Sequence, residues 1–157
     1  RIIQTGVMRE DARVRAIKEL NHRLVALFAD EGVSTIALNG FQKNLITSYK
    51  RGLVLDKRQL MNLPPQPILL ISNLVRKSDS GQLMPVPLPQ LANKLSSSFD
   101  IKEVILFSTD ESADIIQKDL PDTLCPEEAD NSFLAQHVPQ SFHSYGDTIH
   151  LRTATTF

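Results

Sequence analysis

The chain has 157 residues, 41% of them apolar and 22% charged, with a formal net charge of −1. That length suits one domain, spanning residues 1–157 and able to bury roughly two-thirds of its unfolded surface. The near-zero charge argues against a general nucleic-acid or membrane-surface role, since both need a basic excess.

Arg1-Ile2-Ile3-Gln4 reads as the interior of a protein, so further sequence is expected upstream, where an α/β fold often carries a phosphate loop. Glu10-Asp11 supplies acids where a helix N-terminus favours them. Val14, Ile17, Leu20, Leu24, Leu27 and Phe28 then recur at helical spacing, which predicts one buried face. Gly32 stops this helix, because glycine accepts the left-handed conformation without a Cβ clash. Ser34 to Leu38 is short and apolar, as for a strand buried in a parallel sheet, and Asn39-Gly40 ends it. Phe41 to Ile46 fits either a short helix or a loop. Tyr49 to Arg58 is polar and basic. Leu60 to Pro67 is a loop, because Pro64, Pro65 and Pro67 sustain neither a helix nor a ladder.

Ile68 to Ile71 is a second buried strand, ending in Ser72-Asn73, and Arg76 to Gly81 is a polar turn. Leu83 to Leu88 carries prolines at 85 and 87, with another at 89, so it is extended but not a central strand. Gln90 to Phe99 is a helix with Leu91, Leu95 and Phe99 on one face. Lys102 to Phe107 is a third strand, closed by Ser108-Thr109-Asp110-Glu111. Beyond it, Ser132 to His137 reads as helical and Thr148 to Arg152 as a last strand. Alternating strands and helices predict an α/β protein with a largely parallel sheet. Ligands of such sheets sit beyond the carboxyl ends of the strands. If the three strands are parallel neighbours, Asn39-Gly40, Ser72-Asn73 and Ser108-Thr109-Asp110 line one edge. Polar residues also follow strands simply because loops face water.

Several residue types for chemistry are present without a supporting pattern. His22, His137, His143 and His150 have no metal-ligand spacing, so no metal site is expected on them. Cys125, the single cysteine, excludes an internal disulfide. Its acidic neighbours Glu127 and Glu128 make a nucleophilic role less expected than a packing one. With no Asn-x-Ser/Thr sequon, a reducing cytoplasm is the expected compartment. No apolar run approaches the ~18 residues of a membrane span. There is no Walker A loop, no G-x-G-x-x-G and no G-x-S-x-G. Lys50-Arg51 and Lys57-Arg58 suit phosphate or an acidic partner, although a solvated loop is the commoner explanation. Asp110, Glu111 and Asp114 form an acidic cluster that suits Mg²⁺ and a nucleotide, although a charged turn is the commoner explanation.

The order of these elements resembles the amino-acid kinase family, and within it the acetylglutamate kinases. The resemblance runs from Thr5-Gly6-Val7-Met8-Arg9-Glu10-Asp11-Ala12 through Leu20-Asn21-His22-Arg23-Leu24-Val25 to Gly32-Val33-Ser34-Thr35-Ile36-Ala37-Leu38-Asn39-Gly40. It continues at Asp79-Ser80-Gly81-Gln82-Leu83-Met84, Leu91-Ala92 and Ile105-Leu106-Phe107-Ser108-Thr109-Asp110. It is a likeness of element order and spacing over roughly Gly6 to Asp114. It implies a three-layer αβα sandwich with a mainly parallel sheet, and an N-terminal strand and glycine loop upstream of Arg1. It further implies ATP-dependent phosphorylation of an amino-acid carboxylate in arginine biosynthesis, with Mg²⁺, in a homo-oligomer without nucleic-acid or membrane partners. Arg9, Asn39 and Gly40 would bind the amino-acid derivative, and Ser108, Thr109 and Asp110 the nucleotide. Two departures stand out. The family's substrate arginine falls on Met8, with Arg9 beside it. The asparagine and aspartate of its "N-A-D" segment fall on Pro87 and Pro89, which have neither an amide nor a carboxylate. These departures raise an alternative, a catalytically inactive regulatory or oligomerising domain.

Overall fold

The computed structural model describes residues 6–65, 67–107, 121 and 123–152, with side chains from residue 9 onward. The chain divides into two units, Arg1–Val86 and Pro87–Phe157.

In the first unit, α1 (Gly6–Asp30) is a single 25-residue helix. It starts before Glu10-Asp11, so those acids lie within the helix and not at its cap. Its C-terminus closes as the sequence predicts. Gly32 has φ +71°, Gly32 N–H donates to Ala29 O and Val33 N–H donates to Phe28 O. These are the paired bonds of a Schellman stop. The least exposed stripe runs through the half-buried Val14, Ile17, Leu24 and Phe28 and the buried Asn21, whereas Leu20 and Leu27 are 55% and 61% exposed. At 100° per residue those two leucines lie on the flank of the stripe, so the predicted face is rotated toward Asn21. The helix packs on β1 (Thr35–Asn39), β4 (Ile68–Ser72) and β6 (Leu83–Pro85).

β1 and β4 pair in parallel, with Thr35 opposite Ile68 and Asn39 opposite Ser72. The crossover between them holds a 3₁₀ turn (Gln42–Asn44), β2 (Ile46–Tyr49), β3 (Gly52–Leu55) and α2 (Lys57–Met61). A second sheet has the order β3-β2-β5-β6, where β5 is Leu74–Lys77. β2 pairs antiparallel with β3 around Lys50-Arg51, and parallel with β5; β5 pairs antiparallel with β6. The proline-bearing β6 is an edge strand, the position expected of a strand that lacks ladder donors. Leu45, Ile46, Leu74, Val75 and Val86 are the buried apolar centre.

The second unit begins with α3 (Leu88–Phe99), whose N-cap is Pro87 and whose first turn holds Pro89. Prolines suit that turn because its N–H groups have no intrahelical partner. A three-stranded sheet follows in the order β7-β9-β8: β7 (Ile105–Phe107), β8 (Thr123–Leu124) and β9 (Ile149–Arg152). α4 (Asn131–His137) lies between β8 and β9 in the chain. Leu134, Val138, Phe142, Tyr145, Ile149 and Leu151 make one buried cluster, with Ala92, Val104 and Phe133 packed against it.

The architecture is mixed α/β. Among the described residues, three strand pairings are parallel (β1–β4, β2–β5, β7–β9) and three antiparallel (β2–β3, β5–β6, β8–β9). Three small sheets therefore stand where the alternation of elements predicts one mainly parallel sheet. The difference comes from hairpins hidden in polar sequence. Lys50-Arg51 and the left-handed Gly81 (φ +69°) turn the chain back on itself after only four residues of strand. Among the described residues, no helix is long and apolar enough to cross a membrane.

Candidate functional site at the carboxyl edge of β1 and β4

The parallel register of β1 and β4 brings their polar ends together. Ser72 Oγ donates to Asn39 Oδ1 at 2.9 Å, and Asn39 N–H donates to Gln42 Oε1 at 2.7 Å. Asn73 locks the next turn: its Nδ2 donates to Val86 O at 2.6 Å, and Val86 N–H donates to Asn73 O. Two of the three predicted strand ends thus share one edge. The third, Ser108-Thr109-Asp110, lies outside the described residues, as do Glu111 and Asp114.

Gly40 serves this edge through its lack of a side chain. A Cβ there would lie 2.6 Å from Leu74 O and 3.1 Å from Ser72 O. Gly40 O accepts from Ile46 N–H at 2.6 Å, so the backbones of three strand ends crowd onto this residue. Only glycine permits that approach. Arg9 is exposed in the first turns of α1, beside Glu10, whose carboxylate accepts from Gln82 Nε2.

A cavity of about 500 Å³ opens next to the edge. Leu38, Gln42, Lys43, Leu45, Gln59, Asn62 and Leu63 line it. Successive strand residues face opposite sides, so Leu38 meets the cavity from the side of β1 away from the Asn39 side chain. Arg9, Asn39 and Gly40 are not among the lining residues. The floor is built by α2 and the 3₁₀ turn. Asp56 caps α2 by accepting from Arg58 N–H at 3.1 Å, and Gln59 Nε2 donates both to Asp56 Oδ2 and to Lys43 O, each at 2.9 Å. The Gln59 amide, followed by the backbone donors of α2's first turn, holds the Asp56 carboxyl below its ordinary pKa despite an opposing desolvation.

The polar lining is one lysine and three amides, with no carboxylate. That donor set suits an anion and not Mg²⁺, which takes carboxylate and phosphate oxygens. Sequence reasoning missed Gln42, Lys43, Gln59 and Asn62. The available signal was Lys43-Asn44, since asparagine tolerates the left-handed conformation that a tight turn requires.

Two histidines and the cysteine singled out in the sequence have packing or hydrogen-bonding positions in the second unit. His143 Nε2 lies 2.9 Å from Val138 O, which assigns its proton to that nitrogen, and the His137 ring packs against Phe133. Cys125 precedes a 3₁₀ turn (Pro126–Glu128) and is partly buried. Among the described residues, no three of His, Cys, Asp and Glu gather as a metal site.

No protein-family model matches the chain, and no curated protein matches it.

Proposed function

We propose that the chain is an amino-acid-kinase-like domain that binds an acidic amino-acid derivative beyond the carboxyl ends of β1 and β4. The observation that carries this reading is the Asn39–Ser72 pair, formed by a parallel register at a strand edge. Such an edge is where α/β sheets take their ligands. The resemblance supplies the ligand class and the fuller reaction, transfer of a phosphoryl group from Mg-ATP to a carboxylate as in N-acetylglutamate kinase. The three-layer, mainly parallel sandwich belongs to the same proposal, as do Arg9 as a substrate contact and Ser108, Thr109 and Asp110 as nucleotide contacts.

A second reading is favoured by α3. Phosphoryl transfer works through positioned charges and donors. Where the family has an asparagine and an aspartate, this chain has Pro87 and Pro89, which form the cap and first turn of a helix. A domain that keeps the sheet and lacks the chemistry would act as a regulatory or oligomerising module.

One pair of measurements separates the readings. Calorimetric titration of the whole chain with N-acetyl-L-glutamate, with and without Mg-ATP, reports binding, and a coupled ADP-release assay reports turnover. Binding with turnover supports the kinase, and binding without turnover the regulatory domain. Absence of both would sink the reading altogether.

A further inference from the structure

The cavity beside β1 has a chemistry that the strand-end pair does not use. Its walls are Leu38, Leu45 and Leu63. Gln59 is fully committed as a donor, with both hydrogens of Nε2 going to Lys43 O and Asp56 Oδ2, whereas Gln42 is committed only through Oε1, which accepts from Asn39 N–H. Among the described residues, that leaves the Lys43 ammonium, Gln42 Nε2 and the Asn62 side-chain amide, all on exposed residues, as donors at the lining with no protein partner.

Lys43 also sits in an unfavourable backbone conformation. It has φ +49° and ψ +28°, and Asn44 follows with φ +57°. Consecutive left-handed residues other than glycine persist only where their surroundings over-determine them, and such sites cluster at ligand-binding positions. Here the surroundings are the Gln59 bond to Lys43 O, the Asn39 bond to Gln42, and Leu45 N–H donating to Gln42 O. The turn is held from both sides, with its lysine at an apolar cavity.

We infer that this cavity is a binding site for a small monocarboxylate with an apolar body. The carboxylate meets the Lys43 ammonium and the Asn62 amide, and the chain lies against Leu38, Leu45 and Leu63. One cation matches one negative charge. Two of the turn's backbone donors are already used, since Asn44 N–H and Leu45 N–H are donated to Phe41 O and Gln42 O, and a single lysine balances one negative charge better than the two of a phosphate. A cavity of about 500 Å³ lies in the ordinary range for small-molecule sites. The site lies across β1 from the Asn39 side chain and does not rest on the kinase reading.

The test is an amide-resolved NMR titration of the whole chain with sodium octanoate, alongside acetate and octylammonium chloride. Octanoate should shift the amides of Lys43, Asn62 and Leu63 in a saturable way. Acetate should bind far more weakly, and octylammonium not at all. Lys43→Met keeps the aliphatic stem and removes the charge, and should weaken octanoate binding roughly tenfold or more, the range of one charge-assisted hydrogen bond. Lys43→Gly also relieves the left-handed backbone, so it should lose binding while melting no lower than the parent chain. The inference fails if octanoate leaves these amides unmoved, if its saturable shifts centre elsewhere, Asn39 and Ser72 included, if octylammonium binds as well, or if Lys43→Met binds unchanged.

Discussion

The carboxyl edge of β1 and β4 and the core of the second unit solve different problems with different materials. Around β9, shape does the holding. Leu134, Val138, Phe142, Tyr145, Ile149 and Leu151 are all 3% exposed or less. The Phe142 and Tyr145 rings meet with centroids 5.4 Å apart, in the tilted geometry aromatic pairs favour. At the β1–β4 edge, backbone proximity and single hydrogen bonds do the holding, through Gly40, Asn39, Ser72 and Asn73. A core built on volume should respond to lost atoms. An edge built on close approach should respond to added ones.

The comparison is tested most forcefully in the core. Phe142→Ala removes a ring from a cluster with no slack and should cost about 3–5 kcal/mol. Urea unfolding followed by a probe in the second unit would measure this. A loss below about 1 kcal/mol would mean that the cluster repacks and that shape is not what holds it. Gly40→Ala is the reciprocal experiment. Adding one methyl group sets a carbon 2.6 Å from Leu74 O, so the strand ends must part. The expected cost is about 1–3 kcal/mol, the range of overpacking. Backbone amide shifts should spread to Ser72 and Leu74. A neutral Gly40→Ala would show that the edge yields.

How much of this was legible in the sequence follows the same division. Strands whose apolar runs end in polar residues were readable: Thr35–Asn39 and Ile68–Ser72 fall within a residue of their expected bounds, and Ile105–Phe107 is the second half of the strand expected over Lys102 to Phe107. So were the Gly32 stop and the helices at Leu88–Phe99 and Asn131–His137. The four-stranded sheet was not. Ile46–Tyr49, Gly52–Leu55 and Leu74–Lys77 are only four residues each: the first and third carry polar or basic residues that resemble loop, and the apolar Gly52–Leu55 sits inside a stretch whose flanks, Lys50-Arg51 and Asp56 to Arg58, are charged. What makes them strands is pairing with each other, which no local periodicity reports. The cavity was hidden for a related reason. Gln42, Lys43, Gln59 and Asn62 come together only because α2 folds back onto the turn after β1, and the bond from Gln59 to Lys43 spans sixteen residues.

Ser72→Ala sharpens the edge side of the comparison. It takes the hydroxyl donor from Asn39 Oδ1 and leaves the strand register intact. The cost should be about 1 kcal/mol, that of one partly buried hydrogen bond. Weaker N-acetyl-L-glutamate binding in calorimetry should accompany it. Unchanged binding with lowered stability would make the pair purely structural.

The smallest effect reaches both units at once, through one aspartate cap in each. Asp56 caps α2, and Asp130 caps α4 by accepting from Ser132 N–H and Ser132 Oγ, each at 3.0 Å. Both carboxyls are held below the ordinary 3.8, Asp56 chiefly by the Gln59 amide and Asp130 chiefly by the Ser132 backbone N–H. A depressed folded pKa means that the unfolded chain takes up the proton first as pH falls. The caps therefore contribute fully above about pH 4, and their contribution is lost as pH drops through the depressed values. Asp130→Asn keeps a capping oxygen and removes the charge. It should flatten the acid slope of stability, measured as the urea midpoint between about pH 5 and 2, for the unit that contains α4. Asp56→Asn should do the same where α2 builds the cavity floor, and should also loosen Gln59 and with it the Lys43 turn. An acid slope unchanged in both variants would assign the low-pH loss to other carboxylates and leave the two caps as local hydrogen bonds only.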